Sequence, residues 1–148
     1  MAIIGEAITI PIPAEKIFDY IGTPTNLPEF WPSLIEVKNV QSLPGGRYKA
    51  QYAYKMAGIQ FRGIGEYTEV VPNKSLVIVT KGGISSVMTW TFRTRVNITR
   101  VNLTIDYKVP IPLLGKLAEA VVVKMNEQEI VLMLSNLRAR LAFSPRNT

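Results

Sequence analysis

The sequence predicts an α+β fold: a seven-stranded antiparallel sheet covered by a long C-terminal helix, with two short helices between strands 1 and 2. Three observations carry this. Residues 33–109 alternate apolar and polar side chains in short runs separated by turn residues, the pattern of half-buried strands joined by tight connections. From Leu113 to Ala142 there is no proline and a single glycine, among many Leu, Val, Met, Ala, Glu and Lys, which is helix-forming composition. Ahead of the alternating region, Ala14–Ile21 spaces its apolar residues as an amphipathic helix does.

The elements follow in order. Ile3–Pro11 is β-branched and ends in Pro11-Ile12-Pro13, a strand closed by residues that cannot continue a ladder. Pro13 suits the first turn of the helix Ala14–Ile21, and Gly22 ends it. Thr25–Trp31 allows one further helical turn, stopped by Pro32. Strands are then expected at Leu34–Val40, Arg47–Ala57, Ile59–Val71, Ser75–Lys81, Ile84–Arg95 and Arg100–Val109. They are punctuated by Pro44-Gly45-Gly46, Gly58, Pro72-Asn73-Lys74 and Gly82-Gly83. Gly63 and Gly65 inside one strand signal a bulge or a close backbone approach. Because each strand has one apolar face, one side of the sheet must be covered. The terminal helix, about 45 Å long if continuous, is the available cover. It carries two apolar stripes: Leu114, Leu117, Ala118, Val121, Val122, Met125 and Leu132, and, nearly opposite, Val123, Ile130, Leu134, Leu137 and Leu141. The first is taken to face the sheet, and the second is left for short helices, a homodimer contact or a membrane surface.

Composition narrows the chemistry. With 148 residues, 47% hydrophobic and 19% charged, the chain is expected to be a single domain, 1–148, able to bury a core without staples. It contains neither cysteine nor histidine. That excludes disulfides, thiolate nucleophiles, Ser-His triads and imidazole proton switches; no metal and no cofactor are expected. Absence of cysteine and of a basic leader before the apolar N-terminal run fits a cytoplasmic chain. No run approaches the roughly 18 uncharged apolar residues of a membrane span. The net charge is +6, but the basic residues are scattered, so no nucleic-acid partner is expected. Asn97-Ile98-Thr99 and Asn102-Leu103-Thr104 match the glycosylation pattern but are read as polar positions beside a strand turn.

The run from Ile10 to Ile21, the segment Asn26-Leu27-Pro28-Glu29-Phe30-Trp31-Pro32, the Pro44-Gly45-Gly46 turn, Thr89-Trp90-Thr91-Phe92 and the closing helix follow one another in an order that resembles the START / Bet v 1-like superfamily, including its polyketide cyclase/dehydrase and lipid-transport-like group. The resemblance covers essentially the whole chain. It implies a helix-grip fold, a curved sheet wrapped around the C-terminal helix, with an internal cavity for a small hydrophobic molecule: a lipid, sterol, polyketide-like or aromatic compound. It carries over no catalytic set. The alternative is a polyketide cyclase, aromatase or dehydratase-like enzyme using Tyr52, Tyr54, Tyr67, Glu66 or Arg62 in the same cavity.

Residues expected to line that cavity are Tyr52, Tyr54, Met56, Phe61, Tyr67, Met88, Trp90, Leu103, Ile105, Tyr107, Leu117, Val121 and Met125, with Phe30 and Trp31 near an entrance. Tyrosine combines ring surface with one directed hydroxyl, and methionine fits irregular space. Arg62, Glu66 and Gln128 are candidate polar anchors, the facing of the strand bearing Arg62 and Glu66 being open. A hollow of roughly 300 Å³ would cost on the order of 7 kcal/mol if empty, a large share of a typical stability, so it should hold a guest.

Overall fold

A computed structural model describes residues 2–109 and 115–142. The order is β1 (Ala2–Ile10), α1 (Ala14–Ile21), a 3-10 turn at Pro24–Asn26 running into α2 (Leu27–Phe30), β2 (Leu34–Leu43), β3 (Arg47–Met56), β4 (Ile59–Val71), β5 (Ser75–Lys81), β6 (Ser86–Arg95), β7 (Ile98–Tyr107) and α3 (Gly115–Ala142). The seven strands form one antiparallel sheet in the order β1-β7-β6-β5-β4-β3-β2. Only the β1–β7 pairing is non-sequential, and α1 and α2 span the gap from β1 at one edge to β2 at the other. This is the helix-grip arrangement. Leu114 of the first helical stripe lies outside the described residues.

Turn chemistry explains the hairpins. Ala57 and Gly58 both have positive φ, as do Val96 and Asn97, the conformation that matches the twist of two-residue hairpins. Gly82, with φ 93°, turns the chain so that Gly83 lies against β4. A Cβ on Gly63 would stand 2.1 Å from the Lys81 carbonyl oxygen and 2.8 Å from both Gly83 N and Tyr52 Oη. Gly63 is therefore the close approach that the sequence signals. Gly65 is not: its Cβ would meet only Thr80 at 3.8 Å. The register shift in β4 falls instead between Tyr67 and Glu69.

Helix α1 is fastened at both ends by strand side chains. Ala14 N–H donates to Thr94 Oγ1 (3.1 Å), Thr94 and Thr99 share a hydrogen bond, and Thr99 donates to the Ile12 carbonyl (2.7 Å). At the other end Tyr67 donates to the Ile21 carbonyl (2.7 Å), satisfying one of the acceptors that a helix terminus leaves open.

The stripe assignment on α3 is largely reversed relative to expectation, Val122 of the first stripe excepted. Ile130, Leu134 and Leu137 are buried with Val122 and Met133, whereas Leu117, Val121, Met125 and Leu132 are exposed, Leu117 at 84%. Both faces carry aliphatic residues, so periodicity alone cannot choose between them. The choice follows the residues at spacing 122-126-130-133-137, where Asn126 finds a hydroxyl partner on β7. Ile130, Leu134 and Leu137 of the second stripe are thus core, with Val123 and Leu141 packed partly against it, and no homodimer or membrane contact through the stripe is shown. No helix among the described residues is long and apolar enough to cross a membrane.

Candidate functional site

Register divides the concave face into a solid half and a hollow half. In the solid half Leu76, Trp90 and Leu103 stand in one cross-strand row and are completely buried. Phe30 meets Trp90 edge-on at 6.2 Å and Phe18 meets Phe92 at 6.0 Å. In the other half a row of small residues crosses four strands: Ala50 opposite Gly65, Gly65 opposite Thr80, Thr80 opposite Ser86. Beside it runs a row of large ones, Tyr67, Ile78, Met88, Ile105 and Ile4, each opposite the next. Both rows line a hollow of about 100 Å³ that α3 covers with Asn126, Glu129, Ile130 and Met133. The small row leaves the space, and α3 has too few side chains facing it to fill it.

Eight expected wall residues do line this space: Trp31, Tyr52, Tyr54, Met56, Tyr67, Met88, Ile105 and Tyr107. Seven do not. Phe30, Trp90 and Leu103 belong to the solid half. Phe61 is half-buried at the far end of β4, packed beneath Gly83. Leu117, Val121 and Met125 lie on the outward face of α3, for the reason given above. The polar anchors are also displaced. Arg62 and Glu66 alternate out of phase with Phe61, Gly63 and Tyr67, so they face away from the hollow. Arg62 pairs with Glu36 at 3.3 Å, and Glu66 with Arg47 at 3.5 Å. Gln128 is exposed, in a shallow groove between β1 and α3. Unforeseen wall residues include Ala50, Gly65, Thr80 and Ser86, small residues that only the strand register brings together, and Asn126 and Glu129, hidden by the choice of helix face.

The hollow is nearly all carbon, and most of its hydroxyls are committed to the protein. Tyr52 donates to the Ile84 carbonyl (3.1 Å) and accepts from Ile84 N–H (2.9 Å). Thr80 donates to the same carbonyl and shares a 2.5 Å hydrogen bond with Ser86. Tyr67 holds Ile21. At the lip, Glu129 accepts from both the amide (2.8 Å) and the hydroxyl (2.5 Å) of Ser33, clasping the α2–β2 connection to α3. Tyr54 accepts from the Trp31 indole N–H (3.3 Å) and packs edge-on against that ring. Burial pushes the Tyr54 phenol well above its ordinary range, and the Glu129 carboxylate pushes it further. Burial likewise raises Tyr67 and Tyr107. These phenols stay neutral at physiological pH and are poor bases.

The space is also smaller than expected. At about 24 cal/mol per Å³ an empty 100 Å³ would cost roughly 2.4 kcal/mol, which a stability of about 5–15 kcal/mol can bear. Stability therefore does not demand a guest; lining and shape must carry the argument.

A helix-gripping sheet with an apolar hollow defines the class. Residues 1–142 match the family described as Polyketide cyclase / dehydrase and lipid transport, and this chain belongs to that family. Its fold is shared by a protein from Thermus thermophilus (TM-score 0.83, 23% identity, covering 97% of this chain and 99% of that one). It is shared too by a START superfamily protein from Mycobacterium smegmatis (0.78, 14%, 94% and 96%) and by the Zhui aromatase/cyclase from Streptomyces sp. R1128 (0.73, 13%, 95% and 95%). Comparison with curated proteins gives no match.

Proposed function

We propose that this protein binds a small, largely apolar molecule in the hollow between the sheet and α3, acting as a single ligand-binding unit over residues 1–148 in the cytoplasm. The observation that carries the reading is the pairing of Ala50, Gly65, Thr80 and Ser86 into one row beneath α3. Four adjacent strands offering small residues at one level, flanked by a row of large ones, make a recess, where ordinary packing would alternate sizes to fill it. At about 100 Å³ the recess is somewhat smaller than the ~150 Å³ cavity known to admit benzene. It suits an aromatic ring, or one ring or branch of a larger lipid, sterol or polyketide-like molecule.

The enzymatic alternative has less support. Arg62 and Glu66 face away from the hollow, and the hydroxyls of Tyr52 and Tyr67 hold backbone carbonyls. Binding of the neutral single-ring probe ethylbenzene, read by saturation-transfer NMR, tests the proposal. Ala50→Leu fills the recess and should reduce uptake at least tenfold. Thr104→Leu, on the outward face of β7, should leave it within twofold. Uptake by Ala50→Leu equal to that of the unmodified protein would refute the assignment.

A further inference from the structure

Tyr107 is a buried polar group in the wall of the hollow with hydrogen-bonding capacity that the protein leaves unused. Tyr107, 3% exposed at the end of β7, accepts a 2.7 Å hydrogen bond from Asn126 Nδ2 on α3. Its own proton has no acceptor among the described residues. The same Asn126 nitrogen is 3.9 Å from Met56 Sδ, so its amide group is fixed between two partners. A phenol oxygen that already accepts from a fixed amide presents its remaining capacity as a donor. The other buried hydroxyls of the wall differ. Tyr52, Tyr67, Thr80 and Ser86 are engaged with backbone or with one another. Tyr54, half-buried at the lip, accepts from Trp31; its proton also has no acceptor among the described residues, but it lies at the rim and beside Glu129.

Charge around this donor is one-sided. Glu127 and Glu119 act on Tyr107, and Glu129, one turn from Asn126, lines the hollow and acts on the Tyr54 phenol there. A ligand carboxylate brought to Tyr107 would meet like charge in a poorly screened setting; a neutral oxygen would not.

Resting on the reading of the hollow as a ligand site, we propose that Tyr107, positioned by Asn126, donates a hydrogen bond to a neutral oxygen of the bound molecule, a ketone, ester or ether, and that Glu129 selects against its carboxylate counterpart. The ligand class is thus an apolar ring bearing an uncharged acceptor.

Three probes of similar size separate the components: acetophenone, ethylbenzene and benzoate. The chain has two tryptophans, and Trp31 lines the hollow, so its indole N–H resonance, assigned with Trp31→Phe, reports binding in ¹H–¹⁵N titrations. The quantity of interest is the ratio of acetophenone to ethylbenzene affinity. Loss of one neutral hydrogen bond should lower that ratio roughly three- to tenfold in Tyr107→Phe. Asn126→Ala, which frees the hydroxyl to turn, should lower it in the same direction, while ethylbenzene binding reports whether the hollow itself survives. Benzoate should bind about tenfold or more weaker than acetophenone, and Glu129→Gln should narrow that gap. A ratio unchanged in both Tyr107→Phe and Asn126→Ala overturns the donor while the hollow stands. An unchanged benzoate gap in Glu129→Gln overturns the charge selection. Failure of both acetophenone and ethylbenzene to bind removes the ligand site and this proposal with it.

Discussion

Gly63 and Gly65 are two residues apart on one strand, yet they do different work. A methyl at Gly63 would collide with the Lys81 carbonyl, Gly83 and the Tyr52 hydroxyl, whereas a methyl at Gly65 meets one side-chain carbon at ordinary distance. Gly63→Ala should therefore cost at least about 2 kcal/mol, because backbone on two strands must move. Gly65→Ala should be neutral to mildly stabilising; urea denaturation of both variants decides. Tyr67 makes a second residue-scale case. Removing its hydroxyl strands the buried Ile21 carbonyl, so Tyr67→Phe should cost about 1–3 kcal/mol in the same assay. Its phenol also titrates higher folded than unfolded, because burial disfavours the phenolate. Below pH ~10, the ordinary phenol value, that contribution to stability is complete. As pH rises past it the unfolded chain sheds the proton first, and stability falls. Urea midpoints measured from pH 8 to 11 should decline less steeply in Tyr67→Phe than in the unmodified protein.

At the scale of elements, strands are far more legible in the sequence than the terminal helix. Alternation over Arg47–Met56 and Ile98–Tyr107 identifies both the strand and its inward face, since a period of two leaves only two choices. Pro44-Gly45-Gly46 and Gly82 mark ends because few residues adopt positive φ, whereas Gly22 has ordinary helical angles and is set apart by the 2.8 Å approach of the Phe18 carbonyl to the place a Cβ would take. Helix α3 carries aliphatic residues around most of its circumference, and its period cannot say which face is core. That ambiguity extends to Leu117, Val121 and Met125, expected in the wall and found in solvent. The small-residue row is illegible for a different reason. Ala50, Gly65, Thr80 and Ser86 are unremarkable within their own strands and acquire meaning only through pairing register. The helix assignment is testable with equal truncations on opposite faces. Leu137→Ala should cost about 2–5 kcal/mol as a fully buried side chain, and Leu132→Ala, half exposed, about 1 kcal/mol or less. Comparable losses from both would contradict the orientation of α3.

For the whole molecule, two unlike halves share one sheet. The aromatic and aliphatic packing of Leu76, Phe30, Trp90 and Leu103 provides a rigid base, and the recess beside it is closed by the lip clasp of Ser33 and Glu129. On the proposed reading, such a division would let the hollow exchange a guest without the core having to open, because the α2–β2 connection and α3 meet at the lip through a few polar contacts. Binding should accordingly stabilise the fold as a unit. With a ligand at tenfold its dissociation constant, linkage adds about 1.4 kcal/mol, which for a chain of this size raises the melting midpoint by roughly 3–6 °C. Acetophenone is expected to produce that rise in the unmodified protein and little or none in Ala50→Leu, whose recess is filled. Weakening the clasp with Ser33→Ala, which removes the hydroxyl bond to Glu129 and keeps the amide one, should act differently. It leaves the recess unfilled but loosens its lip, so the probe should exchange faster while the melting midpoint still rises at saturation. A Ser33→Ala variant that no longer responds to acetophenone at all would mean that the clasp forms the site itself, and the division into a rigid base and a movable lip would fail.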